Sequence, residues 1–223
     1  MAAPRQGGQN GSGEKGVQDR LMETAEDLFC NRGFNETSVR DIAAAADCNI
    51  ASVNYYFGGK DNLYVQVWRR RLTQMRDIRL ASIEKVMSAG DQPRLEHLLT
   101  SYANAFVEPL VDGGHSDRFL SLMAREMVDP HLPPEMFLKE MIVPVMGALG
   151  QALQRICPWL TDRQVRLVIL SIVGQLIQTV IAKGMFEQGD HPELPKLDLS
   201  ESVEHIVRFS AAGIRAYQNG AGE

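Results

Sequence analysis

Cysteine is scarce in this chain. Cys30, Cys48 and Cys157 are odd in number, far apart and without a CxxC pair. That spacing argues against a disulfide framework and a zinc site, and points to reduced thiols in a cytoplasmic protein. Cations are not in excess either: 23 Lys and Arg face 28 Asp and Glu, a net charge of −5, which argues against a generic nucleic-acid coat. Long uninterrupted apolar runs are missing as well. The richest stretch, Val165–Met185, is broken by Arg166, Gln175, Gln178 and Lys183. It reads as a buried helix, so no membrane partner is expected. Residues 1–16 are rich in Gly, Gln, Asn and Ser and lack an apolar h-region, which reads as a flexible tail and not a signal peptide.

Period-2 alternation long enough for a sheet is also absent, and no internal repeat is found. What remains is a composition ordinary for a soluble globular protein, with 44% hydrophobic and 23% charged residues. Its charges are uneven. Through Arg79 there are 11 cations against 10 anions, and beyond it 12 against 18. A near-neutral head on an acidic body can touch DNA if its few cations are well aimed.

Helical periodicity starts at Val17, with Leu21, Ala25 and Leu28 among the apolar positions of a segment that ends at Arg32-Gly33. Thr37 or Ser38 offers an N-cap for a short helix over Val39 to Ala46. Asp47-Cys48-Asn49 reads as a tight turn. Ile50 to Phe57 forms a second short helix closed by Gly58-Gly59. Two short helices about such a turn match a helix-turn-helix. Asp61 to Met87 reads as a long helix, followed by helical segments at Arg94 to Glu108, Arg118 to Met127, Pro134 to Arg155, Thr161 to Gln188 and Ser200 to Gln218. The breaks between them carry Asp-Gly-Gly, Asp-Pro, Cys-Pro and Gly-Asp-His-Pro. The expected fold is all-α with about nine helices. Its parts are a tail at 1–16, a helix-turn-helix DNA-binding domain at 17–63 and an effector-binding and dimerisation domain at 64–223.

The run Thr37-Ser38-Val39-Arg40-Asp41-Ile42-Ala43, followed by Tyr55-Tyr56-Phe57-Gly58-Gly59-Lys60-Asp61-Asn62-Leu63, resembles the TetR family of transcriptional regulators. Asn49 to Gly58 is similar to the branch of that family with an Asn-Tyr-x-Phe-Gly recognition helix. The resemblance implies Ser38, Tyr55 and Lys60 as backbone contacts to DNA, with Asn49, Ser52 and Asn54 facing the groove. Two departures stand out. Asp47 occupies a turn position where the family usually has Gly, and Ile50 to Phe57 contains no Lys or Arg. Aspartate tolerates the left-handed backbone better than most residues, so the turn survives.

Residue chemistry points the same way. Ile42, Ala46, Val53 and Phe57 can pack on Leu21, Ala25 and Leu28, leaving Ser52, Asn54 and Tyr55 outward. Asparagine can pair with an adenine edge, and hydroxyls reach phosphates. Arg40 either neutralises a phosphate or pairs with a neighbouring carboxylate. Tyr56 and Phe57 read as core, and Arg69-Arg70-Arg71 as a solvated surface, because consecutive helix positions fan apart.

The body has no GxSxG, Walker or GxGxxG motif, and His97, His115, His131, His191 and His205 are isolated. No enzyme activity, metal or cofactor is therefore expected. Tyr102, Phe106, Phe119, Met123 and Met127 supply soft apolar material for a small-molecule pocket, or plain core. Arg125 and Glu126 either orient a polar group of that effector or pair locally. Thr161 to Gln188 is apolar around much of its circumference, and with Ser200 to Gln218 it would form a homodimer face. The reading is a one-component regulator, a repressor that binds a double-stranded inverted-repeat operator as a dimer and is released by a small apolar or amphipathic effector. The alternatives are a helical protein–protein adaptor with a degenerate helix-turn-helix and an all-helical enzyme.

Overall fold

The computed structural model describes residues 11–90, 92–110, 116–187 and 197–219, with side chains for all of these except 11–15, 110, 116–119, 185–187 and 219. Among the described residues there are nine α-helices and no strand. They are α1 (Gly11–Arg32), α2 (Val39–Ala45), α3 (Ile50–Phe57), α4 (Lys60–Ser88), α5 (Leu95–Val107), α6 (Ser116–Val128), α7 (Val143–Ile156), α8 (Asp162–Glu187) and α9 (Leu199–Asn219). A 3-10 turn at Glu108–Leu110 follows α5, and a π-helical turn at Leu138–Ile142 leads into α7. The all-α fold and the number of helices are as expected. The first helix begins at Gly11, ahead of Val17, so part of the expected tail is helical; residues 1–10 lie outside the described residues.

The chain divides into two compact units. Residues 1–71 with 118–133 form the first, and 72–117 with 134–223 the second. The first unit therefore takes in most of α6, which the sequence boundaries assign to the effector-binding domain. Its core is built on the four-residue spacing of Leu21, Ala25 and Phe29 on α1, all fully buried. Ile42 and Ala46, then Val53 and Phe57, close over that stripe, with Leu63, Val67 and Trp68 of α4. Each large side chain so buried contributes about 1.5–3 kcal/mol. Leu28, expected inside, is half-buried, because Phe29 takes the core register. Of the arginine run, Arg69 is exposed, whereas Arg70 and Arg71 are half-buried and pair with Glu23 (3.6 Å) and Glu26 (2.6 Å) of α1.

In the second unit α5, α7, α8 and α9 pack on one another. Leu98, Leu99 and Tyr102 of α5 are buried, as are Ile169, Ile172 and Leu176 of α8 and Ile206 and Ile214 of α9. Within the chain the close helix approach occurs at Gly150, where a Cβ would stand 3.5 Å from Val165. The opposite side of α8 carries Leu167, Leu170, Ile177 and Ile181, all exposed. By length and composition the 23 residues Asp162–Gly184 are apolar enough to cross a bilayer, contrary to the expectation that no stretch qualifies. The buried flank of this helix already has packing partners in α7 and α9.

Candidate nucleic-acid interface

The helix-turn-helix is set by its caps. Ser38, not Thr37, is the N-cap of α2: its Oγ accepts from the Asp41 amide at 3.1 Å, and the Ser38 amide donates to Asp41 Oδ2 at 3.0 Å. This is a capping box, with Asp in place of Glu or Gln. Hydrogen bonds from the Ser38 hydroxyl and then its amide hold the Asp41 carboxyl below its ordinary pKa. Thr37 is buried and donates to the Gly33 carbonyl at 2.7 Å. After Ala46 the chain turns through Asp47, whose φ of 50° is the left-handed conformation foreseen for it. Asn49 then caps α3, its Oδ1 accepting from the Ala51 amide at 2.9 Å, and Gly58 at φ 75° ends the helix. No Cβ penalty applies at Gly58, which is why glycine serves there.

With Val53 and Phe57 pointing inward, the 3.6-residue period turns Ala51 and Tyr55 outward, and Asn54 at the edge of that face and Ile50 at the helix start are exposed as well. Tyr55 is 77% exposed, and Asn54 and Arg40 are exposed beside it in sequence and on α2. Ser52 and Tyr56 are half-buried. The amide nitrogen of Asn49 remains available after its cap, whereas the Ser38 hydroxyl is engaged by Asp41. Sequence reasoning passed over Arg20. From α1 its Nε donates to the Ala46 carbonyl (3.5 Å) and its Nη2 approaches Cys48 Sγ (3.7 Å), which brings a cation to the turn occupied by Asp47. An arginine one residue before a buried leucine gives no periodic signal, so only the tertiary fold reveals it.

Lys60, at the start of α4, engages Phe34. Its Nζ donates to the Phe34 carbonyl at 3.0 Å and lies 4.0 Å over the Phe34 ring. Phe34 also meets the His131 ring (4.2 Å) and packs edge-on to Tyr64 (4.9 Å). Glu126 locks this cluster: it accepts from the Tyr64 hydroxyl (2.8 Å) and from the His131 (2.7 Å) and Leu132 (2.6 Å) amides. Burial is the main cause that pushes the Tyr64 phenol well above its ordinary pKa. A Cβ at Gly33 would stand 3.1 Å from Arg125, whose Nη1 donates to the Arg32 carbonyl.

The residues proposed for an effector thus fall into two sets. Tyr102 and Phe106 are buried neighbours in the second unit, with ring centroids 6.2 Å apart. Met123, Arg125, Glu126 and Met127 belong to the first unit. Met127 is 84% exposed, Arg125 is exposed, and Glu126 is committed to Tyr64 and two backbone amides, so the local pairing left open for these charges is what occurs. An open groove of about 490 Å³ runs between Phe34, Tyr64 and α6, with Glu126 among its walls. The Phe119 side chain lies outside the described residues.

A family model described as "Bacterial regulatory proteins, tetR family" matches residues 21–67, the helices just described and the start of α4. A second, "HTH-type transcriptional dual regulator CecR, C-terminal domain", matches residues 95–214, more than half of the chain. This chain belongs to the TetR family. Over 47 residues this TetR-family chain is 50% identical to the probable HTH-type transcriptional regulator YttP of Bacillus subtilis, covering 21% of the chain and 23% of YttP. Over 107 residues it is 30% identical to the HTH-type transcriptional repressor KstR2 of Rhodococcus jostii, covering 47% of the chain and 48% of KstR2. The chain thus spans at most about half the length of these curated relatives. In fold it is similar to the transcriptional regulator FadR of Bacillus subtilis, solved in complex with stearoyl-CoA. That match has a TM-score of 0.64 at 16% identity and covers 87% of this chain and 98% of the other.

Proposed function

We propose that this TetR-family protein is a one-component transcriptional repressor that binds an inverted-repeat operator as a homodimer and releases it when a small apolar or amphipathic effector binds the body. The observation that carries this reading is α3: a helix capped at both ends, with Asn54 and Tyr55 turned to solvent. Asn49, Ser52 and Asn54 would face the major groove, and Ser38, Arg40, Tyr55 and Lys60 would meet the backbone, with Arg20 added from the turn. Repression draws on the similarity to KstR2, and an effector with an apolar body on the fold shared with stearoyl-CoA-bound FadR. The homodimer draws on the exposed apolar side of α8, which a second copy would cover, joined by exposed Phe209 of α9.

The test is fluorescence anisotropy on the DNA upstream of the gene, repeated across salt concentrations. Asn54→Ala should cost about 1–3 kcal/mol and relax the base preference at one operator position. Lys60→Ala should lower the salt slope by about one unit where the ammonium also reaches a phosphate. An unchanged slope with a lower melting temperature assigns Lys60 to the Phe34 turn alone. The second reading, a protein–protein adaptor, is favoured by the cation-free α3 and by the inward engagement of Lys60. Absence of salt-dependent DNA binding would select it.

A further inference from the structure

Arg79 stands on α4 where an apolar residue belongs. Its neighbours on the same stripe, Leu72, Met75 and Ile83, are all buried, and Arg79 is itself only 3% exposed. Among the described residues no carboxylate pairs with it. Its Nη1 donates to the Met141 thioether at 3.1 Å, its Cζ lies 4.0 Å over the Phe106 ring, and its Nε has no hydrogen-bond partner. Burial lowers its pKa from the ordinary arginine value, and the nearby Tyr102 phenol partly opposes that shift. A guanidinium has five N–H donors and keeps its charge under physiological conditions, so a thioether and a ring face leave it short of partners. A buried cation with no anion is costly, and ordinary core packing offers no return for it.

Met141 holds the position an anion would take. It sits in the π-helical turn Leu138–Ile142, a distortion often found at functional sites, and Arg76 Nη1 approaches the Glu140 carbonyl of the same turn at 3.4 Å. A methionine side chain is flexible and its sulfur a weak acceptor, so it can be displaced without leaving a strong bond unmade. All the groups named lie in the second unit.

We propose that Arg79 anchors a ligand site in the second unit for an amphipathic monocarboxylate. The carboxylate would take the Arg79 N–H groups now facing Met141, and its apolar part would lie against Phe106, Tyr102 and Met141. A monoanion with a small planar head suits the guanidinium fork, whereas a strongly hydrated phosphate does not suit these apolar walls. This rests on the effector reading above and replaces Arg125 and Glu126 as its polar anchor.

The test is isothermal titration of the full-length protein with decanoate and 2-naphthoate, each against its uncharged isostere, decanamide and 2-naphthamide. At least one acid should bind about tenfold or more tightly than its amide, the difference expected of a charge-assisted pair. In Arg79→Met that preference should fall to within about twofold, and Arg79→Lys should keep part of it. Equal binding of acid and amide to the unaltered protein, failure of both acids to bind, or a preference that survives Arg79→Met overturns the proposal. The comparison on the unaltered protein stands even where Arg79→Met fails to fold. Operator titration separates the two readings. A carboxylate that binds through Arg79 without changing DNA affinity upholds the site and removes its effector role. Release by acid and amide alike upholds the regulator and removes Arg79 as anchor.

Discussion

Around the helix-turn-helix of the first unit, polar groups find partners close by. Thr37 bonds Gly33, Ser38 exchanges bonds with Asp41, Lys60 bonds Phe34, and Glu126 accepts three donors at once. In the second unit Arg79 is buried with no anion among the described residues, and α8 turns four large hydrophobes to solvent. The contrast separates two kinds of folding problem. Where polar groups meet one another in this way, the fold itself supplies their partners. A unit that buries a charge beside a thioether and exposes an apolar stripe is the one for which a ligand and a second copy are proposed above.

The largest expected effect breaks the second half of that contrast. Leu170, 59% exposed near the middle of the α8 stripe, is changed to Asp. If a second copy covers the stripe, the buried carboxylate costs several kcal/mol of association, and light scattering should report monomer with an unchanged helical circular dichroism spectrum. A persistent dimer would place the interface elsewhere. Because Leu170 is exposed within the chain, the fold itself should tolerate the change.

Glu126→Ala attacks the first half. It strands the Tyr64 hydroxyl and two amides in a half-buried setting, at a cost of about 2–3 kcal/mol in urea unfolding. A loss well under 1 kcal/mol would mean that solvent already satisfies those groups.

Ser38→Ala is the mildest, about 1 kcal/mol for a lost N-cap. It also sharpens the comparison through pH. The Asp41 carboxyl is held below its ordinary value of 3.8 in the folded state. Its contribution is therefore fully present above that value and fades as pH falls through the folded pKa. The stability gap between the parent and Ser38→Ala should narrow on acidification below about pH 4. A constant gap would detach the cap from Asp41 ionisation.

The turn and both short helices of the DNA-binding head were legible because they rest on local signals. These are a polar cap, an apolar period of three and four, and a glycine where φ is positive. The left-handed Asp47 was legible for the same reason. What escaped was set by contacts far apart in sequence. Glu126 was read as a candidate effector contact because nothing near it in sequence reveals that Tyr64 is its partner. Arg79 was counted among the charges of the head. Its place in the stripe with Leu72, Met75 and Ile83 was a visible signal, but one that means burial only once the facing helix is known. Arg70 and Arg71 were assigned to solvent by the same kind of omission.

The separation of the exposed α8 stripe from α3 has a genetic consequence. The two features lie in different compact units, so an allele that ruins the outward face of α3 leaves the stripe as it was. If the stripe joins two copies, such chains would still assemble with intact ones, and mixed pairs would carry one working head. Head mutations would then be dominant over the normal allele when both are expressed, whereas a charge on the stripe would be recessive, because its product would be excluded from every pair.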